Sequence, residues 1–430
     1  MWQAGYRLLQ WLVFPWVVLR LWWRGRAEPG YREGIGERFG FYGDAPPVKP
    51  VIWLHAVSLG ETRAAEPLLR ALQSRHPECE LLLTQMTATG REAAQQLLGN
   101  GVRIAWLPYD YPSAVRRFLR HFRPRLGILM ETEIWFNLVR ESGRAGVPLV
   151  LANARLSERS ARNYAAVAPL VRAAIESLAA IAAQTAADAE RLKRLGARVV
   201  EVTGNLKFDA APALGMQDLA ARFRSWFGGR KVFLVASTRE GEEELLLDAL
   251  EHHVLGDALV VIVPRHPQRF DPVAQLFAGR GLKFARRSAN APVPSDCDWV
   301  LGDSMGEMAA YYGACDAAFI GGSLLAYGGQ NLIEACAAGV PVLVGAFTYN
   351  FAQAAESAIA AGAALRVSDA SDAVRQAREL LQDSRRRESM SKAGIVFCAA
   401  HQGATERTLA ICERLLEPSR QPRLTEGGIS

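Results

Sequence analysis

The chain has 430 residues, more than one ordinary hydrophobic core holds, so its length predicts two domains. Half of the residues are apolar and 22% are charged, a composition that excludes an intrinsically disordered chain. The formal net charge of +6 suits an acidic partner or a membrane surface, and we expect no nucleic-acid partner. The six cysteines are scattered without a C-x-x-C pair, which argues for reduced thiols and against a zinc site or a disulfide framework.

Residues 1–26 differ in composition from the rest of the chain. They hold five of the ten tryptophans, four arginines and no acidic residue. The apolar run is broken by Gln10, Pro15 and Arg20, which makes it marginal for a spanning helix. Tryptophan prefers the membrane interface, and the arginines that follow the run place the remaining chain in the cytoplasm by the positive-inside rule. We therefore expect a membrane anchor that spans once or lies in the interface; a soluble helix buried against the protein is the alternative.

The first domain is expected over residues 45–205. It opens with the strand VIWLH, a turn that contains Gly60, and a helix that begins near Glu61. Such a unit is the first crossover of an α/β fold, and its turn lies at the carboxyl end of a parallel sheet, where these folds bind ligands. Glu61 is therefore expected to project into a cleft. The alternative is that Glu61 only complements the positive N-terminal end of its helix.

Two later strands of this domain also end in charged residues. RLGILM leads directly into Glu131 and Glu133, and carboxylates at the end of a buried strand are costly unless they are paired or hydrogen-bonded. If the chain stays extended there, residues two positions apart share one face. The alternative for Glu133 is a cap on the following helix. Lys207 follows the strand segment VVEVTGN, where a cation can meet a substrate anion; a surface lysine is the alternative.

The strand–helix pattern restarts in a second domain, expected over residues 230–405. Its strand LVVIVP ends at Pro264, and the guanidinium of Arg265 can bind a phosphate or a carboxylate through two hydrogen bonds. A later turn precedes a helix whose first backbone amides suit a phosphate. That turn consists of Met305, Gly306 and Glu307.

The segment AAFIGGSLLAYGGQNLIEACAAG gives the strongest local signal: a strand, a glycine-rich loop and a helix. Glycines allow the backbone to approach a ligand closely. Asn331 and Glu334 are three positions apart, so a helix that contains both places them on one face. A carboxylate there can hold a ribose diol while free amides hold a phosphate, although the spacing matches neither the dinucleotide fingerprint nor the P-loop. The alternative is a glycine-rich structural turn.

Together these features predict an α/β protein of two Rossmann-like, doubly wound domains that face each other across a cleft. A helix at 406–417 is expected to pack back across that cleft, and 418–430 to form a loose tail. The nucleotide-type features lie in the second half and isolated acids in the first, a division that fits transfer from a nucleotide sugar. An inverting transfer needs one base for the acceptor hydroxyl, and we expect no metal or cofactor.

Seven motifs carry a resemblance to the 3-deoxy-D-manno-octulosonic acid (Kdo) transferases of lipopolysaccharide synthesis. They occur in the same order and spacing over nearly the whole chain: HAVSLGE, METEIW, NARLS, TGNLKFD, VPRHPQRF, LGDSMGEM and GGQNLIE. The resemblance implies a GT-B fold and transfer of Kdo from CMP-Kdo to a tetraacylated lipid A precursor, lipid IVA. It also implies a location at the cytoplasmic face of the bacterial inner membrane.

The resemblance assigns roles to the residues above. It implies that Glu61 is the general base and that Glu131 and Lys207 stabilise the transition state. The positions that it implies for CMP binding are Pro264, Arg265, Met305, Gly306, Glu307 and Asn331 to Glu334.

The chain departs from the family pattern at four positions. Arg239 stands where the family usually has His, Phe136 where it often has Pro, and Ala346 and Phe347 where it often has Pro-His. An Arg for a His exchanges a titratable group for a fixed charge, which is compatible with an altered pH dependence or a hydroxylated Kdo donor. Two competing functions remain open: a UDP-sugar transferase or 2-epimerase of the same fold, and a membrane-anchored module that binds a nucleotide sugar without catalysis.

Overall fold

The computed structural model describes residues 2–165, 168–210, 215–253 and 255–417. They form two compact units: one runs up to Ala210 and resumes at Gln402, and the other lies between them in sequence. The tail expected at 418–430 lies outside the described residues.

The first unit is built on a seven-stranded parallel sheet with the order β3-β2-β1-β4-β5-β6-β7. The strands are β1 Val51–His55, β2 Glu80–Gln85, β3 Arg103–Trp106, β4 Pro124–Met130, β5 Leu149–Ala154, β6 Ala180–Ala183 and β7 Val200–Val202. The helices are α1 Trp2–Ala27, α2 Leu59–Arg75, α3 Ala88–Leu98, α4 Pro112–Phe122, α5 Phe136–Arg144, α6 Glu158–Ala165, α7 Ala168–Glu176 and α8 Ala186–Arg194.

The central strands of this sheet are buried on both faces, as parallel sheets require. One hydrophobic core lies against α2 and contains Ile52 and Leu54; the other contains Val51 and Trp53. Successive residues of β1 thus face opposite cores. The order of the strands reverses between β1 and β4, and the carboxyl ends at such a switch point form a natural ligand crevice.

The second unit repeats this plan with a seven-stranded parallel sheet of order β10-β11-β9-β8-β12-β13-β14. Its strands are β8 Val232–Thr238, β9 Leu259–Pro264, β10 Phe284–Arg286, β11 Trp299–Leu301, β12 Ala317–Ile320, β13 Val342–Val344 and β14 Ala364–Arg366. Its helices are α9 Met216–Trp226, α10 Glu242–His252, α11 Phe270–Gly279, α12 Met308–Ala314, α13 Ile333–Ala337, α14 Ala352–Ala360, α15 Ala370–Gln382 and α16 Ser384–His401. The switch point of this sheet lies between β8 and β12.

The last described helix, α17, spans Ala404–Leu416 and packs on the first unit. Leu409, Ile411 and Cys412 are buried there in the same core as the residues of α2. Asp209 holds the start of α17, because its carboxylate accepts hydrogen bonds from the backbone N–H groups of Gly403 and Thr405. The chain therefore leaves the second unit at the end of α16, and its last described helix belongs to the first unit.

The N-terminal helix α1 leaves much apolar surface exposed. Trp16, Leu19, Trp22 and Trp23 are all more than half exposed, whereas Leu21 is buried in a small cluster with Tyr31, Ala88 and Trp106. Among the described residues, no helix combines the length and the hydropathy that a membrane span needs.

Candidate active site

Glu61 lies in the first turn of α2, directly beyond the carboxyl end of β1. Its Oε2 accepts a hydrogen bond from the Val57 N–H at 2.8 Å, and its Oε1 accepts one from the Ser58 hydroxyl at 3.1 Å. Ser58 is the N-cap residue of α2 and also accepts the Glu61 N–H. Glu61 therefore does interact with its helix end, as the alternative interpretation supposed.

The same carboxyl group has a strongly shifted acidity. The pKa of Glu61 is raised from 4.5 to about 7, chiefly by burial and to a smaller extent by the neighbouring carboxylates of Glu131 and Glu133. The hydrogen bond from Val57 opposes this shift because it favours the ionised form. Glu61 thus titrates near neutral pH, where a general base is most effective.

Glu131 follows β4, the strand next to β1, and is paired with two cations. Its Oε1 accepts a hydrogen bond from Lys207 Nζ at 3.1 Å, and its Oε2 accepts one from Arg155 Nε at 3.1 Å. Glu131 is buried, so its negative charge requires such partners. Lys207 is mostly buried as well, and the surface alternative for this residue is wrong.

Two asparagine side chains hold the backbone at Lys207 in place. Asn205 Oδ1 accepts the Lys207 N–H at 3.0 Å, and Asn153 Oδ1 accepts the Leu206 N–H at 3.1 Å. Asn153 is fully buried at the end of β5 and has a φ of +52°, a left-handed conformation that asparagine tolerates. These bonds tie the ends of β5 and β7 together beside Glu131.

The expectation that Glu131 and Glu133 share one face is wrong. Glu131 has a φ of +56°, so the chain turns at this residue and is not extended. The Glu133 carboxylate instead accepts a hydrogen bond from Trp135 Nε1 at 2.6 Å, and burial raises its pKa. Glu133 does not cap α5 either: the buried Asp110 accepts the first N–H groups of that helix, from Asn137 and Leu138.

In the second unit, Arg265 lies beyond the end of β9, after the buried Pro264. The Arg265 N–H bonds to the carbonyl of Thr238 at 3.0 Å, which ties it to the neighbouring strand β8. Its Nε donates to Gln330 Oε1 at 3.2 Å, so the side chain reaches the glycine-rich loop. The predicted arginine thus lies at the switch point of the second sheet.

The turn before α12 is held by a paired glutamate. Glu307 accepts two hydrogen bonds from the Arg287 guanidinium, at 2.8 and 2.9 Å, and one from the Ser304 hydroxyl. Gly306 has a φ of +82°, and Met305 is half exposed. The Glu307 side chain therefore serves the turn itself, while its neighbours face solvent.

Asn331 and Glu334 do meet, but not on one helical turn. Asn331 Nδ2 donates to Glu334 Oε1 at 2.9 Å, and Asn331 Oδ1 accepts the Ile333 N–H at 3.1 Å. Helix α13 begins at Ile333 with Leu332 at its N-cap position, so Asn331 lies before the helix, and its bond to the N–H two residues ahead is that of an Asx turn. The expectation that the helix contains both residues is wrong.

The glycine-rich loop is held from below by Glu242, which the sequence reasoning missed. Glu242 is completely buried, and its carboxylate accepts the N–H groups of Gly322 at 2.5 Å, Leu324 at 2.9 Å and Arg239 at 2.9 Å. The N–H groups of Gly329 and Gln330 bond to carbonyls within the loop. These amides are therefore not free, contrary to expectation, and this part of the loop is a structural turn.

Comparison with known proteins identifies the family. The family described as 3-deoxy-D-manno-octulosonic-acid transferase matches residues 33–210, and glycosyl transferases group 1 match residues 249–396. A Kdo transferase of Bordetella pertussis is 46% identical over 93% of this chain and 96% of its own length. The chain belongs to the Kdo transferase family. A second relative, from Haemophilus influenzae, is 35% identical over 97% of this chain and 99% of its own length.

This Kdo transferase family member also has the expected fold class. The structure of a UDP-GlcNAc 2-epimerase from Neisseria meningitidis aligns with 85% of this chain and 100% of its own, with a TM-score of 0.59 at 17% identity. At this identity the likeness shows the fold alone. Together with the two parallel sheets, it confirms the prediction of two doubly wound α/β domains.

The roles of Arg155 and Glu242 in this Kdo transferase family member could not be predicted from the sequence, for different reasons. Arg155 lies within the NARLS motif, but its pairing with Glu131 depends on the adjacency of β4 and β5, which local sequence does not show. Glu242 is one of three acids in the first turn of α10, and the sequence does not show that two of them are buried or that Glu242 is the one that bonds to the loop. The sequence signal for the role of Glu242 was the run of three glutamates in the first turn of α10.

Proposed function

We propose that this protein transfers Kdo from CMP-Kdo to a lipid A precursor, lipid IVA, as an inverting glycosyltransferase. The observation that carries the proposal is the 46% identity to a Kdo transferase over almost the full length of both chains. The chemistry of the first unit supports it, because Glu61 and Glu131 follow β1 and β4, the two strands at the switch point, and Lys207 pairs with Glu131.

In this proposal Glu61 is the general base. It accepts the proton of the acceptor hydroxyl as that oxygen attacks the anomeric carbon of Kdo, and CMP leaves with the electrons of the broken bond. A pKa of about 7 suits this role, since about half of the groups are ionised at neutral pH and the carboxylate is still basic enough to accept a proton. The hydrogen bonds from Val57 and Ser58 hold the carboxylate in one orientation.

The roles of Glu131 and Lys207 follow from their pairing. With Arg155, the three side chains carry one negative and two positive charges, so the cluster has a net positive charge in a partly buried place. Such a cluster stabilises negative charge that develops on reacting groups more strongly than the same charges would in water. Glu131 then acts chiefly by fixing the two cations.

The donor is assigned to the second unit. We propose that CMP binds at Pro264 and Arg265, at the turn of Met305, Gly306 and Glu307, and at the segment from Asn331 to Glu334. Arg265 supplies a charged donor for the phosphate. The Asn331–Glu334 pair supplies an amide and a carboxylate beside the start of α13, which suit the hydroxyl groups of a ribose.

We propose that residues 45–205 bind the acceptor and residues 230–405 bind the donor, while the helix predicted at 406–417 packs on the first unit. We further propose that residues 1–26 hold the protein at the cytoplasmic face of the bacterial inner membrane. The exposed Trp16, Leu19 and Trp23 support an interfacial position, in which apolar side chains of a helix enter the lipid headgroup region. A lipid acceptor is available only at a membrane, so tethering raises the effective concentration of the enzyme near it.

The experiment that tests the function is a nucleotide-release assay with the purified protein, lipid IVA and a choice of donors. Release of CMP from CMP-Kdo that depends on lipid IVA supports the proposal. Turnover of a UDP-sugar in place of CMP-Kdo identifies the alternative enzyme class. Tight binding of CMP without any transfer identifies a binding module.

Replacement of the base tests the mechanism. Glu61→Gln keeps the size of the side chain and removes its basicity, so the rate should fall by about 100- to 10,000-fold. Glu66→Gln is the matched control, because Glu66 lies on the same helix and pairs only with the exposed Arg70 among the contacts described. A Glu61→Gln protein with a near wild-type rate would show that Glu61 is not the base.

A further inference from the structure

A donor bound to the second unit carries negative charges, which groups of the protein must neutralise. The amides of Gly322 and Leu324 already donate to Glu242, so the glycine-rich loop offers fewer backbone donors than its sequence indicates. Glu242 also adds a buried negative charge beneath the loop. An anionic ligand at this end of the sheet therefore depends on side-chain cations.

Arg239 and Gln330 both lie close to Gly322. A Cβ atom at that position would lie 3.5 Å from Arg239 Cγ and 3.1 Å from Gln330 Nε2. Gln330 in turn bonds to Arg265 Nε. Arg239 and the linked pair of Gln330 and Arg265 thus border the same glycine, which leaves the space above its Cα without a side chain.

Arg239 is held in this place by two contacts. Its guanidinium lies over the ring of Tyr327, 4.6 Å from the centroid, and the Tyr327 hydroxyl donates to the carbonyl of Glu240 at 3.1 Å. Its backbone N–H donates to Glu242. The side chain is therefore partly ordered before any ligand binds, which lowers the entropic cost of using it.

His266 is a third basic residue in this region. The pKa of His266 is lowered by burial and then by the positive charges of Arg239 and Arg265. Both arginines thus lie close enough to His266 to disfavour its protonation. The carboxyl ends of β8 and β9 therefore carry two fixed positive charges and a neutral imidazole.

The two acidic groups of CMP-Kdo match a pair of arginines. Kdo is a 2-ulosonic acid, so its anomeric carbon carries both its carboxylate and, in CMP-Kdo, the phosphate oxygen. Two negatively charged groups are thus separated by only a few bonds. A sugar nucleotide without a carboxylate, such as a UDP-hexose, has no second acidic group on that carbon.

We propose that Arg239 binds the sugar carboxylate of the donor, beside Arg265, which binds the phosphate. This inference rests on the proposed function, because it takes CMP-Kdo as the donor. Arg239 is then a specificity-determining residue that selects donors with an acidic sugar. Because a guanidinium stays charged throughout the physiological range, this recognition does not vary with pH, as it would with a histidine in its place.

The test compares two ligands that differ by the acidic sugar. The KM for CMP-Kdo and the inhibition constant of CMP are measured for the wild-type protein, Arg239→Ala and Arg239→Lys. Arg375→Ala is the charge-matched control, since Arg375 pairs with Asp372 and Glu379 on the surface of α15. For Arg239→Ala we expect the KM to rise by about tenfold or more, the usual cost of removing a charged hydrogen bond, with the CMP inhibition constant changed by less than about twofold. Arg239→Lys should give an intermediate KM, because its single ammonium cannot form the two parallel bonds of a guanidinium.

Other results overturn the assignment. If the inhibition constant of CMP rises as much as the KM, Arg239 contacts the phosphate and not the carboxylate. If neither constant changes, Arg239 does not contact the donor. A wild-type protein that turns over a UDP-sugar and not CMP-Kdo refutes the proposed function itself, and the carboxylate assignment with it; a loss confined to the Arg239 variants refutes neither.

Discussion

Lys207 Nζ lies 3.1 Å from Glu131 Oε1, although 76 positions separate the two residues in the chain. The contact exists because β4 and β7 end at the same edge of one parallel sheet, with Glu131 and Lys207 in the loops that follow. Both side chains are mostly buried, so removing one partner would leave the other charge buried and unpaired, which lowers stability.

The first prediction concerns this pair. Lys207→Met and Glu131→Gln should each lower kcat by about 100-fold, because each change dismantles the same preorganised charges. The double variant should be little worse than either single one, since residues that act as a unit are not additive. Lys193→Met is the control, as Lys193 is exposed on α8 and pairs with Glu190. Fully additive losses would show that the two residues act independently.

The second prediction concerns pH. Because Glu61 must be ionised to act as a base, kcat/KM should fall by about tenfold per pH unit below a pKa near 7. The raised pKa also affects stability. Glu61 contributes stability that is fully present below its unfolded value of 4.5 and is lost as the pH rises through about 7. The wild-type protein should therefore lose about 2–3 kcal/mol relative to Glu61→Gln between about pH 5 and pH 8.

The measurement for this prediction is the free energy of unfolding of both proteins at several pH values, together with the pH profile of the rate. The difference between the two proteins isolates Glu61, because the other buried carboxyl groups are present in both. An activity profile that stays flat down to about pH 5 would contradict a raised pKa of the base.

The third prediction concerns Glu242. Glu242→Ala leaves three backbone N–H groups without their acceptor and should destabilise the second unit by about 2–4 kcal/mol. Hydrogen exchange at Gly322 and Leu324 should accelerate before exchange in the sheet does. Glu240→Ala is the control, because its side chain is largely exposed. Unchanged exchange at both amides would mean that the loop does not depend on this carboxylate.

The fourth prediction concerns α1. Replacing Leu19 and Trp23 by serine removes exposed apolar surface and should weaken sedimentation with vesicles that contain anionic lipid. The rate of CMP release with a detergent-solubilised acceptor should stay the same, because the change does not touch the site. Replacing Leu21, which is buried, should instead lower the stability of the protein. Vesicle binding that is unaffected by the first change would remove the support for an interfacial anchor.

The sequence predicted the sheet-end positions of Glu61, Glu131 and Arg265 because each follows a strongly apolar strand, and that of Lys207 because it follows the short strand β7. A parallel α/β fold places such strand ends along one edge, so local pattern was sufficient for them. It could not predict the turn at Glu131, since a positive φ in a glutamate depends on the tertiary contacts that hold it.

Long-range partners were likewise beyond local pattern. Asp110 caps a helix that begins 26 positions later, and Glu242 bonds to a loop 80 positions away. Both contacts require knowledge of which strands are neighbours. The predicted helix started too early because it included Asn331, whereas the side chain of Asn331 bonds to the backbone of Ile333 and holds a turn before the helix.

The central claim is that Kdo is transferred to a lipid, and the mass spectrum of the lipid product tests it most directly. After incubation of the wild-type protein with CMP-Kdo and lipid IVA, the lipid should gain the mass of one or more Kdo residues, and Glu61→Gln should leave it almost unchanged. The number of added residues also fixes how many transfers the protein performs. A lipid of unchanged mass in the presence of active, folded wild-type protein would contradict the account.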